Sequence, residues 1–305
     1  MLINYQIFSF NIKIERDIYF QSFPSFIFRS VIGKELRKLS CLFRKKSCND
    51  CDLKFQCAYS RIFESPIEKN TIVLKGRNYA SHPFVISTNK KEGEKITEIS
   101  LNLTLIGNSL DYFSYIFYSI QKAGESGLFG EKIPYKVKEV LVDKKNIINQ
   151  GGSINTNFKS KVWKLDLDKK RVAKKHFIIN FKSPLRLKIR GRYRDAFTYS
   201  DFLQSVYRRL EILSLLYGKN DQFKYNFLDL SLNKDETSNL VWKDLKRYSA
   251  RQGSVIKLGG VVGIMELKGE FTPFELSLLK GAELFHAGKN PSFGLGNIKL
   301  LEIKE

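Results

Sequence analysis

The chain has 305 residues, 43% of them hydrophobic, and its 52 Lys and Arg residues against 31 Asp and Glu residues give a formal net charge of +21. This length can bury one large core or two of medium size, and so large a one-signed charge indicates an anionic partner, either nucleic acid or a membrane surface. No stretch reaches the roughly 20 apolar residues of a spanning helix. The alternating N-terminus does not resemble a signal peptide, so we predict a cytoplasmic protein without a membrane partner.

Hydrophobic periodicity predicts the element order β-α-β-β-α-β for the first half of the chain. Strands are predicted over residues 4–14, 84–87, 98–106 and 135–142, with a further extended segment at 71–74, and helices over 25–43 and 110–122. This order is typical of the split β-α-β, or ferredoxin-like, unit.

The same pattern starts again in the second half, after a segment rich in Asn, Gly and Ser. The predicted elements are a strand pair around 176–189, a helix over 199–217, hairpin-like segments over 255–267, a helix over 273–286 and a strand over 297–303. Thr272 is expected to cap the helix that starts with Pro273. The pattern A-G-x4-F-G occurs at 123–130 and at 287–294, in the same place in each half, which indicates a repeat. We predict an α+β fold with two tandem ferredoxin-like domains, residues 1–145 and 171–305, joined by a linker over 146–170.

The four cysteines all lie between residues 41 and 57, with the spacing C-x6-C-x2-C-x5-C. In a chain without an export signal, this density favours a metal site over disulfides. Four thiolates fit a structural Zn²⁺ ion. The alternatives are an iron–sulfur cluster bound by the same cysteines and four thiols that bind no metal. The expected role is to hold the loop after the first helix. The predicted metal ligands are Cys41, Cys48, Cys51 and Cys57.

Cations occupy every second position from 186 to 194. On one extended strand they would form a ladder with neighbours about 6.6 Å apart, from a rise of roughly 3.3 Å per residue. Phosphates would relieve the repulsion within such a row, whereas an edge strand that only blocks aggregation needs fewer charges. The next predicted helix adds two arginines. The predicted nucleic-acid contacts are Arg186, Lys188, Arg190, Arg192, Arg194, Arg208 and Arg209.

A glycine-rich segment follows the last predicted helix. Gly288, Gly294 and Gly296 would let the backbone approach a ligand and direct N–H groups at phosphate oxygens, while Lys289 adds charge. The alternative is a helix C-cap followed by a tight turn. We predict a phosphate contact at these four residues.

The three histidines differ in their surroundings. His286 borders the glycine-rich segment, where an imidazole could act as a general acid or base near neutral pH. His82 and His176 are interpreted as surface or hydrogen-bonded histidines. The sequence has no clustered Asp/Glu nuclease site, P-loop or serine-nucleophile elbow. Any RNA cleavage is therefore expected to use the 2′-OH of the RNA as nucleophile, with no catalytic metal.

Several motifs occur together in a specific order. They are Phe28-Arg29, Cys48-x2-Cys51-x5-Cys57, Gly124-x2-Gly127-Leu-Phe-Gly130, Ser183-Pro184-Leu185-Arg186, Leu258-Gly259-Gly260, His286-Ala-Gly288-Lys289 and Ser292-Phe293-Gly294-Leu295-Gly296. The ordered set resembles the CRISPR-associated pre-crRNA-processing endoribonucleases of the RAMP superfamily (the Cas-six family), in the branch with a cysteine-bearing N-terminal region. The resemblance implies two RAMP-type, RRM-like domains and cleavage within CRISPR repeat RNA to a 2′,3′-cyclic phosphate and a 5′-hydroxyl. It also implies transfer of the mature crRNA to interference-complex proteins.

The chain departs from this family in one respect. Many relatives carry a catalytic histidine on or near the first helix, whereas residues 26–42 contain none. Catalysis is then expected to depend on His286, or on Arg29 and Lys34 as cations that stabilise charge on the scissile phosphate. Two other functions stay open: a non-catalytic crRNA-binding subunit of an interference complex, and a metal-stabilised adaptor protein.

Overall fold

The computed structural model describes residues 1–67, 79–219, 234–249 and 253–304. The extended segment predicted at 71–74 lies outside these residues. The chain divides into two compact units, one of residues 4–161 and one of residues 1–3 and 162–305. Within the described ranges, no helix has the length and apolar character needed to cross a membrane.

The first unit is built on an antiparallel sheet. Its elements are β1 (Leu2–Tyr19), α1 (Pro24–Ser40), β2 (Phe84–Thr88), β3 (Lys95–Ile106), α2 (Phe113–Ser126), β4 (Tyr135–Val142) and β5 (Lys145–Asn146). The strand order β2-β3-β1-β4 is that of a ferredoxin-like fold, and β5 extends it beyond β4. Alternate residues of β1, among them Phe8, Phe10 and Ile12, are buried in the core of this unit. The period-2 pattern of the sequence therefore fixes which face of β1 meets the core.

Both helices of this unit differ at their ends from the prediction. α1 stops at Ser40 because Cys41 is extended, with φ −92° and ψ 112°. A 3₁₀ segment, Gly107–Tyr112, precedes α2. The Oγ of Ser109 accepts from the backbone N–H of Ile106 and donates to the carbonyl of Pro83, at 2.8 and 2.9 Å. This serine ties the end of β3 to the residue before β2.

The second unit repeats the same topology. Its main elements are β7 (Ala173–Leu185), α3 (Tyr199–Tyr217), β10 (Lys234–Lys243), β13 (Gly260–Phe271), α4 (Pro273–Phe285) and β14 (Ile298–Glu302). The strand order is β10-β13-β7-β14. The smaller strands are β6 (Lys161–Lys164), β8 (Lys188–Ile189), β9 (Arg192–Tyr193), β11 (Lys246–Ser249) and β12 (Ser254–Lys257).

The helix predicted over 199–217 is confirmed, and α4 ends one residue before its predicted end. Both helices begin with a capping box, Thr198 with Asp201 and Thr272 with Glu275, a motif that contributes about 1 kcal/mol to helix stability. The segments predicted as hairpin-like over 255–267 fall on β12 and β13. However, β12 pairs with β11, whereas β13 pairs with β10 and β7, so the two segments are not one hairpin.

The segment predicted as a linker, 146–170, is mostly exposed, but a few of its apolar side chains are anchored. Ile147 is buried in the core of the first unit, and Phe158 packs against that core. Trp163 and Leu165 are buried in the second unit, where Trp163 donates through Nε1 to the carbonyl of Ser277 at 2.9 Å. These apolar residues are spaced too widely to form a periodic pattern, so the polar residues between them dominated the prediction.

Candidate functional site

Residues 186–194 form a hairpin rather than one strand. β7 ends at Leu185, and β8 pairs with β9 through Lys188↔Tyr193 and Ile189↔Arg192. The two turn residues, Arg190 and Gly191, have φ values of 48° and 81°. Positive φ at both central residues is typical of the type I′ turn, one of the common two-residue connections of a β-hairpin. The predicted single-faced ladder is therefore wrong. Arg-Gly in the middle of an alternating stretch reverses the chain while the alternation continues.

This cationic hairpin, residues 186–194, carries most of its charge in solvent. Lys188, Arg190, Arg192 and Arg194 are exposed, and none of them forms an ion pair with another described residue. Exposed, unpaired cations on a short hairpin are suited to binding phosphates.

Arg186 anchors the base of the cationic hairpin. It is only 8% exposed, its guanidinium carbon lies 4.4 Å from the ring centre of Tyr193, and its Nη1 donates to the carbonyl of Lys257 at 3.4 Å. A guanidinium on an aromatic face is a stabilising contact. Arg186 therefore fixes the orientation of the hairpin, and the four exposed cations are the ones that can reach RNA.

The two arginines predicted on α3 have different surroundings. Arg208 is exposed and pairs with Glu211 at 3.3 Å. Arg209 is buried, and its Nε donates to the carbonyls of Phe285 and His286, both at 2.9 Å. Burial lowers its pKa to about 9. A cation at carbonyl groups of a helix C-terminus stabilises that terminus, so Arg209 holds α4 in place and does not lie on an RNA-binding surface as predicted.

His286 lies in the core of the second unit at the end of α4. It is 5% exposed, and its Nδ1 is 3.2 Å from the carbonyl of Leu295, to which a neutral imidazole donates. Burial, and then the charge of Arg209, lowers its pKa from 6.5 to about 3. A buried imidazole held neutral in this way does not present a proton-transfer group to a phosphate. Its environment argues against the predicted catalytic role and indicates a structural one.

The burial of His286 predicts a pH-dependent stability. The unfolded imidazole takes up a proton as the pH falls through 6.5, whereas the folded one does not, so stability is lost toward acid. Between pH 7.5 and pH 5 this histidine should remove about 2 kcal/mol from the free energy of unfolding. Urea titrations at the two pH values measure the loss. His286→Asn keeps an amide donor for Leu295 without a titrating group, so an equally steep loss in that variant would contradict the assignment.

The glycine-rich segment packs against the end of β7. Gly288, Gly294 and Gly296 have φ values of 70°, 85° and 68°, and a Cβ on Gly296 would lie 1.9 Å from the carbonyl oxygen of Ala287. The backbone N–H groups of Lys289, Gly294 and Gly296 donate to the carbonyls of Arg186, Pro291 and Pro184. These N–H groups are not available to phosphates, so the contacts favour the turn interpretation. The exposed side chain of Lys289 is the part of the segment that can reach RNA.

The other two predicted catalytic residues, Arg29 and Lys34, lie on α1 in the first unit, where Lys34 is exposed. The Nη2 of Arg29 is 3.2 Å from the Nε2 of His82, and the Nδ1 of His82 is 3.1 Å from the Oγ of Ser65. The guanidinium carbon of Arg29 lies 5.1 Å from the ring centre of Phe63. Sequence reasoning missed His82 as a partner of Arg29, because the two are 53 positions apart and no periodicity links them.

The four cysteines are free thiols of intermediate exposure. The Sγ of Cys57 donates to the carbonyl of Ser40 at 3.6 Å, and burial raises the pKa of Cys48. In the described ranges, no group of three or more His, Cys, Asp or Glu side chains is arranged to hold a metal ion. A zinc ion or iron–sulfur cluster at Cys41, Cys48, Cys51 and Cys57 stays a prediction.

Two families match the chain. Residues 3–160 match AF_1859_N, an N-terminal domain, and residues 179–298 match the CRISPR-associated endoribonuclease Cas6. An uncharacterized protein of Archaeoglobus fulgidus is 24% identical over an aligned length of 308 positions, and the alignment covers 96% of this chain and 99% of that protein.

Among solved structures, the fold is similar to Thermus thermophilus Cas6, with a TM-score of 0.56 and 14% identity over 98% of this chain and 99% of that chain. A Cas6 product complex gives the same TM-score and coverage at 15% identity. A chain of a Cas6-RT-Cas1–Cas2 complex also has a TM-score of 0.56, with 13% identity over 99% of this chain and 29% of that chain. At these identities the likeness shows a shared fold.

Proposed function

The chain belongs to the CRISPR-associated endoribonuclease Cas6 family, with an AF_1859_N domain as its first half, and from this we propose that it cleaves CRISPR repeat RNA to generate mature crRNA. The observation that carries the proposal is the cationic hairpin. Its four exposed, unpaired cations lie within the segment that matches the Cas6 family. Phosphate binding by such cations is the electrostatic basis of RNA affinity.

The proposed reaction uses the RNA itself as nucleophile. The 2′-hydroxyl attacks the adjacent phosphorus and the bond to the 5′-oxygen breaks, which leaves a 2′,3′-cyclic phosphate and a 5′-hydroxyl. Arg29 and Lys34 supply positive charge beside the scissile phosphate, where charge develops in the transition state. No metal takes part in this step. His286 has no part in it either, because its side chain is buried.

The product would pass to other CRISPR proteins. One similar chain is part of a Cas6-RT-Cas1–Cas2 complex, which supports a partner protein for this chain as well. The proposed place of action is the cytoplasm, where repeat transcripts are made.

A non-catalytic crRNA-binding subunit is the second candidate. It is favoured by the lack of a histidine between residues 26 and 42 and by the buried His286. An adaptor protein that docks partners through a metal-bound cysteine loop has no specific observation in its favour.

One assay tests the proposal. The purified protein is incubated in EDTA with cognate repeat RNA, and in parallel with the same RNA carrying a 2′-deoxy nucleotide at the cut site. We expect a single cut in the first RNA, with cyclic phosphate at its new 3′ end, and no cut in the second. Binding of both RNAs with no cleavage of either would support the non-catalytic subunit instead.

A further inference from the structure

The imidazole of His82 lies between the arginine of α1 and a buried serine, and we infer that it is the general base of the cleavage reaction. This inference rests on the proposed function, because it assigns one step of that reaction. His82 lies 3.2 Å from Arg29 and 3.1 Å from Ser65, through different ring nitrogens. These two contacts determine where the imidazole carries its proton.

The contacts assign the neutral form of His82. A guanidinium has only donors, so at 3.2 Å the Nε2 of His82 accepts from Arg29 and carries no proton. The proton of the neutral ring is then on Nδ1, from which it is donated to the Oγ of Ser65. An imidazole with an unprotonated nitrogen beside a cation is in the form that a general base requires.

The backbone on both sides of His82 is held in place. Pro83 restricts the preceding residue to extended conformations, and its carbonyl accepts from the N–H of Ile106 and the Oγ of Ser109, both at 2.9 Å. The His82 ring stacks on Phe84 with a centroid distance of 5.9 Å and an interplanar angle of 19°. The ring is therefore fixed in position before any substrate binds.

Ser65 is fixed as firmly as the ring it contacts. It is 3% exposed and has left-handed backbone angles of φ 52° and ψ 58°. This conformation costs roughly 1–3 kcal/mol in a residue other than glycine. The backbone N–H of Ser65 donates to Ser60 at 2.7 Å, and its carbonyl accepts from Ala80 at 2.9 Å. A serine held in this way is suited to orient an imidazole, as the residue that hydrogen-bonds to a catalytic base does in many active sites.

The position of Arg29 connects the base with the phosphate. Its guanidinium lies 5.1 Å from the ring centre of Phe63, and that ring packs against Gly33, one turn further along α1. When RNA binds, the Nη2 donor of Arg29 moves from the Nε2 of His82 to a non-bridging phosphate oxygen. This frees the lone pair of Nε2 and places the adjacent 2′-hydroxyl beside it. Arg29 thus orients both the scissile phosphate and the imidazole of His82.

The step is balanced in protons and bonds. Nε2 of His82 takes the proton of the 2′-hydroxyl while the 2′-oxygen forms its bond to phosphorus. The bond between phosphorus and the 5′-oxygen breaks, and the 5′-oxygen takes a proton from water. The imidazolium then returns its proton to solvent, so no reactant other than the RNA is consumed.

The other two histidines have different partners. The Nε2 of His176 lies 2.6 Å from the Oε1 of Glu266 in the second unit, and His286 is buried at the end of α4. His176→Ala therefore serves as a matched control variant.

The test is single-turnover cleavage of repeat RNA by His82→Ala and His82→Gln, with RNA affinity measured in parallel. Glutamine keeps an acceptor and a donor for Arg29 and Ser65, so it preserves the fold without taking up a proton. We expect both variants to bind RNA like the wild type and to cleave about 10²- to 10⁴-fold more slowly. Added imidazole should restore part of the rate of His82→Ala, and His176→Ala should cleave normally.

Three results would overturn the inference. The first is a wild-type rate in His82→Gln. The second is slow cleavage by His82→Ala that imidazole does not restore, since that pattern indicates a positioning role only. The third concerns RNA in which sulfur replaces the scissile 5′-oxygen, because a thiolate leaves without the help of an acid. If His82→Gln cleaved this RNA at the wild-type rate, His82 would be the general acid and not the base. A wild-type protein that binds the RNA but does not cut it would overturn the proposed function together with this step.

Discussion

Replacement of Glu275 by glutamine is expected to lower the free energy of unfolding by about 3–5 kcal/mol, because the change leaves a buried lysine without its counter-charge. The Nζ of Lys234 lies 2.7 Å from the Oε1 of Glu275, and both side chains are only 2% exposed. The two atoms are close but not aligned as a hydrogen bond, so the attraction is chiefly between charges. Lys234 otherwise faces the Phe271 ring, whose centre is 4.7 Å from Nζ.

Glutamine separates the charge of Glu275 from its capping role. The other carboxylate oxygen of Glu275 accepts from the backbone N–H of Thr272 at 3.0 Å, and glutamine can make the same contact. The loss measured by urea unfolding therefore reports the uncompensated charge of Lys234.

The double variant Lys234→Met/Glu275→Gln is the matched control. It removes both charges and should lose less stability than Glu275→Gln alone, since no buried ion is left unpaired. The ion pair of Lys280 with Glu283 provides a comparison in which the lysine is exposed. Lys280→Met should change the free energy of unfolding by less than about 1 kcal/mol. Equal losses in the single and double variants would contradict the assignment of the energy to an unpaired charge.

Neutralisation of the cationic hairpin is expected to weaken binding of repeat RNA by about 10²- to 10³-fold at 0.1 M salt, since each lost phosphate contact costs about 1 kcal/mol in counterion release. The variant replaces Lys188, Arg190, Arg192 and Arg194 by glutamine. The slope of log K against log[salt] should become shallower by about 3, at roughly 0.7 for each contact with a single strand. Filter binding at several salt concentrations measures both quantities.

A control variant separates the hairpin from the net charge of the chain. Four exposed lysines of the first unit are replaced by glutamine, which removes the same charge elsewhere; they are Lys132, Lys136, Lys138 and Lys145. We expect a smaller loss of affinity in this control. If both variants lose affinity equally and share one salt slope, the RNA is attracted by overall charge and the hairpin is not its binding site.

Local signals in the sequence were sufficient for much of the fold. Capping residues and apolar periodicity located α3 and α4 to within one residue at each end, because these features act within a single turn of helix. The hairpin of β8 and β9 was missed because an alternating pattern continues unchanged through a two-residue turn. Gly191 was the local sign of the reversal, and the regular cations around it concealed it.

The candidate site was harder to predict because it depends on burial and on distant contacts. Arg209 and His286 look like surface residues in the sequence, yet both are buried. Arg209 donates to the carbonyls of Phe285 and His286, and the imidazole of His286 lies at the carbonyl of Leu295. The contact between Arg29 and His82 forms only when β2 is placed beside α1. Residue type alone does not reveal whether a histidine or arginine is buried by a partner or presented to a ligand.

In the turn of the cationic hairpin, backbone preference and charge favour different residues. Arg190 has φ 48° at a position where asparagine, aspartate or glycine fits the backbone better. Selection for stability alone would favour one of these residues, and each of them would remove a cation from the tip. Stabilising mutations are usually easy to find in natural proteins. An arginine at this position therefore favours a role for positive charge at the tip of the hairpin. In related chains that do not need this charge, we expect glycine or asparagine at the same position.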